Sequence, residues 1–156
     1  MNISDTYCNP LPIPNYPHGS EVDGFSNCRE LADPTVLFHN KKWFLYATKG
    51  SIYETDDFIH WTECDRYNIP KLVAPTIAEQ NGKFYFMGSD SGIYVSDSPY
   101  GPFQDLGTIA LENGEALLVR DPMLFFDEDG RLYLYWGLGK DGLSLIHISE
   151  PTRHSL

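Results

Sequence analysis

An internal repeat constrains this chain more than any other feature. Ala32-Asp33-Pro34-Thr35-Val36-Leu37-Phe38 passes through Asn40 and Lys42 into Trp43-Phe44-Leu45-Tyr46. Val73-Ala74-Pro75-Thr76-Ile77 passes through Asn81-Gly82-Lys83 into Phe84-Tyr85-Phe86. Arg120-Asp121-Pro122-Met123-Leu124-Phe125-Phe126 passes through Asp129-Gly130-Arg131 into Leu132-Tyr133-Leu134-Tyr135. Each copy is an X-Pro start, a short apolar strand, a polar turn, a basic residue and an aromatic strand. Asn-Gly and Asp-Gly between apolar runs are hairpin chemistry, because these residues tolerate the positive φ that a tight turn demands. The repeated prolines fall at 34, 75 and 122, at intervals of 41 and 47 residues.

The first two copies continue alike. Ser51-Ile52-Tyr53-Glu54 leads to Asp56-Asp57-Phe58 and Trp61, and Gly92-Ile93-Tyr94-Val95-Ser96 leads to Ser98-Pro99-Tyr100-Gly101-Pro102-Phe103. Four short strands in a period of ~40–45 residues is the arithmetic of a β-propeller blade. Flat solenoids have shorter repeats and turns less like hairpins. Composition agrees, since 14% aromatic residues with 11 prolines favour strands and punctuate helices. The expected fold is all-β.

Three segments follow from the repeat. Residues 1–29, with Pro10, Pro12, Pro14 and Pro17, read as an extended arm that either lies over the propeller or adds a closing strand. Residues 30–142 hold about two and a half blades. Residues 143–156 bear no relation to the earlier blades, and the run from Leu143 to Arg153 resembles a translated transposase adapter from sequencing-library preparation. That tail is expected to be non-native read-through, which removes His147, Glu150 and His154 from the candidate ligands and acids. Its Leu-Ser-Leu-Ile-His-Ile alternation would also suit a short strand.

Charge narrows the function classes. Twenty-two acidic residues against 11 basic give a net charge of −11, the wrong sign for neutralising phosphates, so no nucleic-acid partner is expected. No apolar run approaches the ~20 residues that span a bilayer, so no membrane partner is expected either. Met1-Asn2-Ile3-Ser4-Asp5 lacks the charged and apolar regions of a secretory signal, which points to a cytoplasmic location. Oligomeric state leaves no trace in the sequence. Cys8, Cys28 and Cys64 are odd in number without metal-ligand spacing, and are expected as free thiols.

Aligned repeats single out two carboxylates. The residue before each repeated proline is Asp33, then Ala74, then Asp121. An Asp-Pro pair has a structural explanation, because Asp favours turns and the residue before proline is pushed towards extended geometry. Ala74 in the equivalent slot weakens it: the backbone does not require a carboxylate there. First strands of propeller blades line the central channel, so Asp33 and Asp121 should face one mouth. Converging carboxylates are the apparatus of general acid–base chemistry, glycoside hydrolysis above all.

Residues 30–142 resemble the N-terminal part of a family 43 glycoside hydrolase, a five-bladed propeller glycosidase. The resemblance is carried by Ala32-Asp33-Pro34, Asp57-Phe58-Ile59-His60-Trp61, Ala74-Pro75, Ser98-Pro99-Tyr100-Gly101-Pro102-Phe103, Asp121-Pro122 and Phe126-Asp127-Glu128-Asp129-Gly130. It implies a truncated five-bladed propeller and inverting hydrolysis of xylan- or arabinan-type sugars, of the xylosidase or arabinofuranosidase kind. Asp33 matches the general base that activates water. Asp121 matches the carboxylate that orients the general acid and raises its pKa. The acid itself is a Glu on a later blade, absent from this chain, so the chain alone is expected to be inactive. The resemblance implies a carbohydrate substrate and no required cofactor; some relatives hold a structural ion, for which calcium is the candidate, in the channel. Many relatives also carry an aromatic residue before the Ala-Pro, where this chain has Val73. Related propellers perform fructosyl transfer or phosphorolysis, and a non-catalytic sugar-binding propeller would keep the same carboxylates.

Other features have plainer readings. Asp127-Glu128-Asp129-Gly130 lacks the distal Glu of a calcium loop and reads as a hairpin turn. Glu112 and Glu115 read as solvated loop charges between blades. His18, His39 and His60 share no ligand spacing. Phe44, Tyr53, Trp61, Tyr85, Tyr94 and Tyr133 read as packing between strands and blades. Asn2-Ile3-Ser4 fits a glycosylation sequon.

Overall fold

The computed structural model describes residues 13–14, 31–48, 50–65, 67–111, 113–137 and 143–148. Most of the 1–29 arm, with Cys8, His18 and Cys28, therefore lies outside the described residues, as do Glu112, Glu150 and His154.

Each repeat becomes an antiparallel sheet. The first contains β1 (Thr35–His39), β2 (Lys42–Tyr46), β3 (Ile52–Thr55) and β4 (Thr62–Glu63), paired in that order. The second contains β5 (Thr76–Gln80), β6 (Lys83–Met87), β7 (Tyr94–Ser96) and β8 (Gln104–Asp105), again in order. The third pairs β9 (Arg120–Phe126), β10 (Leu132–Gly137) and β11 (Leu143–Ile148). Register repeats as well: Thr35 faces Tyr46 and Thr76 faces Met87 at equivalent rungs. The all-β expectation holds, as two four-stranded blades and three strands of a third.

The alternation of Leu143–Ile148 does form a strand. Leu143–Ile148 pairs along the whole of β10, from Gly137 opposite Leu143 to Leu132 opposite Ile148. Ile146 and Ile148 pack on the core while Leu145 and His147 face outwards. The physical reason is general: a strand edge accepts any adjacent segment with period-two alternation, whatever its ancestry.

Blades are held by the aromatic strands. Phe44, Tyr46 and Ile52 of the first blade share a core with Ile77, Phe84 and Phe86 of the second. Ring centroids there lie 5.7 Å apart for Tyr46–Phe86 and 5.4 Å for Phe44–Tyr100, within the range of favourable aromatic pairs. Tyr46 is fully buried, and its hydroxyl donates to the Pro99 carbonyl at 2.9 Å. Burial pushes that phenol well above its ordinary pKa, so it stays a donor. A second core joins Ala78, Met87 and Ile93 to Leu124, Leu132, Leu134 and Trp136. Phe86 stands at the centre of the first interface, 1% exposed. Phe86→Ala is expected to lower the unfolding free energy by roughly 3–5 kcal/mol, read as a drop in the urea midpoint at unchanged slope.

Outer-face residues finish the first blade. Ile13 of the arm packs with Leu45, Ala47, Tyr53 and Trp61, so this part of the arm lies over the blade. The Trp61 indole donates to the Phe58 carbonyl at 3.1 Å. Asp57 organises the turn before it, accepting from the backbone N–H groups of Ile59 and His60 at 2.8 Å each. The backbone and then the ring of His60, with the Ile59 N–H, hold the Asp57 carboxyl well below the usual range. Trp61, Phe44 and Tyr53 are thus packing residues, as read from sequence. At the two ends of the row, Val36 and Phe38 on one side and Met123 and Phe125 on the other remain exposed, because a blade face is covered only by a neighbouring blade.

Candidate active site

Equivalent positions in the repeat meet in one place. Asp33-Pro34-Thr35, Ala74-Pro75-Thr76 and Asp121-Pro122-Met123 together line an open cleft of about 270 Å³. They converge because β5 lies between β1 and β9, so equal steps along each first strand reach the same end of the channel. The cleft brings Asp33 and Asp121 together as the repeat predicted, with the methyl of Ala74 in the intervening slot.

The backbone there departs from expectation. Asp33, Ala74 and Asp121 have φ of 50°, 46° and 49°, in the left-handed region rather than the extended geometry usual before proline. Asp tolerates this region better than most residues; Ala gains nothing from it. That Ala74 adopts it too shows that the corner, not the carboxylate, sets the conformation. Hydrogen bonds from the preceding blade hold two of these corners. The Ala74 N–H donates to Thr48 Oγ1 at 3.0 Å, and the Asp121 N–H donates to Ser89 Oγ at 3.0 Å. Strained backbone of this kind persists only where its surroundings over-determine it, and it clusters at functional sites.

Thr48 makes a second bond. Its hydroxyl donates to Asp33 Oδ2 at 3.3 Å. Thr48 and Ser89 escaped the sequence reading, yet they occupy one repeat position: Tyr46-Ala47-Thr48 follows β2 as Met87-Gly88-Ser89 follows β6. Thr76 adds a further tie, its Oγ1 accepting from the Leu124 N–H at 3.1 Å between the inner strands.

Remaining candidates fall elsewhere. Glu115 is exposed, and one of its carboxylate oxygens accepts from the Asn113 amide at 2.9 Å within the connection between blades. Asp127 to Gly130 close the β9–β10 hairpin, with the Gly130 N–H donating to the Asp127 carbonyl at 2.9 Å. His39 stacks edge-on against Phe84, and His60 pairs with Asp57. Val73 is 54% exposed and offers no ring for stacking. Among the described residues no group of three or more His, Cys, Asp or Glu is placed to hold a metal ion.

One more polar cluster joins the blades away from the cleft. Lys42 Nζ lies 2.8 Å from Glu54 Oε1, while the Tyr100 hydroxyl donates to Glu54 Oε2 from the second blade. Burial alone would raise the Glu54 pKa, but Lys42 and Tyr100 outweigh it and hold the carboxyl below its usual range. Cys64, beside them, is a free thiol that burial pushes up to about 12. That shift disfavours the thiolate.

Residues 33–155 match the model of the glycosyl hydrolases family 43. The chain belongs to this family. Over 107 residues it is 32% identical to a xylosidase/arabinosidase of Butyrivibrio fibrisolvens, an alignment covering 58% of this chain and 20% of that protein. An α-L-arabinofuranosidase structure from Clostridium thermocellum is 29% identical with a TM-score of 0.56, covering 75% of this chain and 51% of that one. An exo-1,5-α-L-arabinanase structure from a bovine ruminal metagenomic library shares the fold at 23% identity and a TM-score of 0.59, covering 78% of this chain and 51% of that one. The family 43 chain thus spans about half of those solved structures and a fifth of the Butyrivibrio protein.

Proposed function

We propose that the protein contributes the first blades of an inverting glycosidase acting on xylose- or arabinose-containing glycans, with Asp33 as general base. The observation carrying this reading is the convergence of Asp33 and Asp121 on one cleft from repeat-equivalent corners, with Ala74 between them. Asp33 takes a proton from a water as that water's oxygen bonds to the anomeric carbon. The glycosidic C–O bond breaks on the opposite face, and its oxygen receives a proton from a Glu supplied by a later blade. Asp121 orients that Glu and, as a neighbouring negative charge, keeps it protonated until the transfer. Proton traffic between carboxyls and water requires no redox or organic cofactor.

Relatives named for both xylose- and arabinose-releasing activities support the substrate class. The test is the stereochemistry of the intact glycosidase. Proton NMR of the first sugar released from an aryl β-xyloside or aryl α-L-arabinofuranoside is expected to show the inverted anomer before mutarotation. Retention would require a carboxylate nucleophile and overturn the role given to Asp33.

A further inference from the structure

We propose that Thr48 is a positioning residue for Asp33, orienting its carboxylate towards the attacking water. This inference rests on Asp33 being the general base.

Thr48 lies two residues beyond β2, at the point where the first blade meets the second. Its single hydroxyl is used in both directions. The oxygen accepts the Ala74 N–H at 3.0 Å, which leaves the hydroxyl proton to be directed elsewhere. It is directed at Asp33 Oδ2, 3.3 Å away. Asp33 is exposed, and its side chain would otherwise sample several rotamers at the cleft wall. A base must present one lone pair to one water, so fixing one oxygen orients the other.

The repeat supplies an internal comparison. Ser89 fills the same position on the second blade and accepts the Asp121 N–H at 3.0 Å. Its own blade presents Ala74 at the corner, with no carboxylate to receive the hydroxyl proton. Clamping the next blade's corner is thus common to both junctions, whereas the bond to a carboxylate belongs to Thr48. On the third blade the position is Gly137, which has no hydroxyl to offer Asp121. The two cleft carboxylates are therefore held differently, and only Asp33 is held by this hydroxyl.

The experiment is kinetic, in the intact glycosidase. Thr48→Val keeps the β-branched shape and removes the hydroxyl; Thr48→Ser keeps the hydroxyl and removes the methyl. The expected result is a roughly tenfold loss of kcat in Thr48→Val at nearly unchanged KM, with Thr48→Ser close to the parent. In an Asp33→Ala background, assayed on an activated aryl glycoside, Thr48→Val should change the residual rate by less than about twofold, since residues acting as a unit are non-additive. Should Thr48→Val fail to fold, Thr48→Ala is read in the same cycle. Parental kcat in Thr48→Val, equal damage in Thr48→Ser, or an undiminished penalty in the Asp33→Ala background each overturns the proposal and leaves Thr48 as a clamp between blades. Full activity in Asp33→Ala alone would instead remove the base assignment itself.

Discussion

Asp33→Asn in the intact glycosidase is expected to lower kcat by about 100- to 10,000-fold, the range that a general base contributes. The substitution preserves size and leaves an amide oxygen to accept the Thr48 hydroxyl, but an amide oxygen is too weakly basic to take a proton from water. Among the described residues the Asp33 carboxylate is held by the Thr48 hydroxyl, which an amide oxygen can also receive. Ala74 occupies the same corner at φ 46° without a carboxylate, and Asp33 is exposed rather than part of a core. The melting temperature should therefore stay within a few degrees of the parent. The loss should be the same for good and poor leaving groups, because water activation does not involve the departing oxygen. Near-parental turnover would remove Asp33 from the mechanism; a collapsed melting temperature would show the carboxylate to be structural.

Asp121→Asn is expected to cost about 100-fold on natural-type linkages, with a different signature. In the proposed mechanism its charge acts on the acid. Removing a neighbouring negative charge makes the Glu easier to ionise, so its pKa falls and the basic limb of the rate profile moves to lower pH. Substrates whose leaving group needs no proton, such as nitrophenyl glycosides, should lose far less than alkyl glycosides or oligosaccharides. Equal losses across that series would show that Asp121 does not act through the acid. The Asp121 N–H is held by Ser89, and Gly137 stands in its blade where Thr48 stands in the first, so that position offers no hydroxyl to its side chain.

What could be read from the sequence was local or periodic. Hairpins were legible because Asn81-Gly82 and Asp129-Gly130 have the φ tolerance that tight turns require, and Gly82 and Gly130 do adopt φ of 75° and 82°. Strands were legible because apolar and aromatic residues alternate between covered faces. Both carboxylates were legible because a repeat, once aligned, compares chemically different residues at one structural position. That comparison isolated Asp33 and Asp121 against Ala74 with no knowledge of where the chain would fold.

Contacts between blades were not legible in this way. The left-handed corners contradict the ordinary preference before proline, and at Ala74 and Asp121 the N–H groups are captured by Thr48 and Ser89 of another blade. Glu54 meets Tyr100 across 46 residues of sequence, and Ile13 of the arm finds Trp61 between β3 and β4 of the first blade. Leu143–Ile148 joins the third sheet by pairing along the edge of β10. From sequence alone came the period, the strands, the turns and the two carboxylates that line the cleft. The tertiary structure alone decided which hydroxyl holds which acid, since a hydrogen bond between segments distant in sequence exists only once the blades are packed.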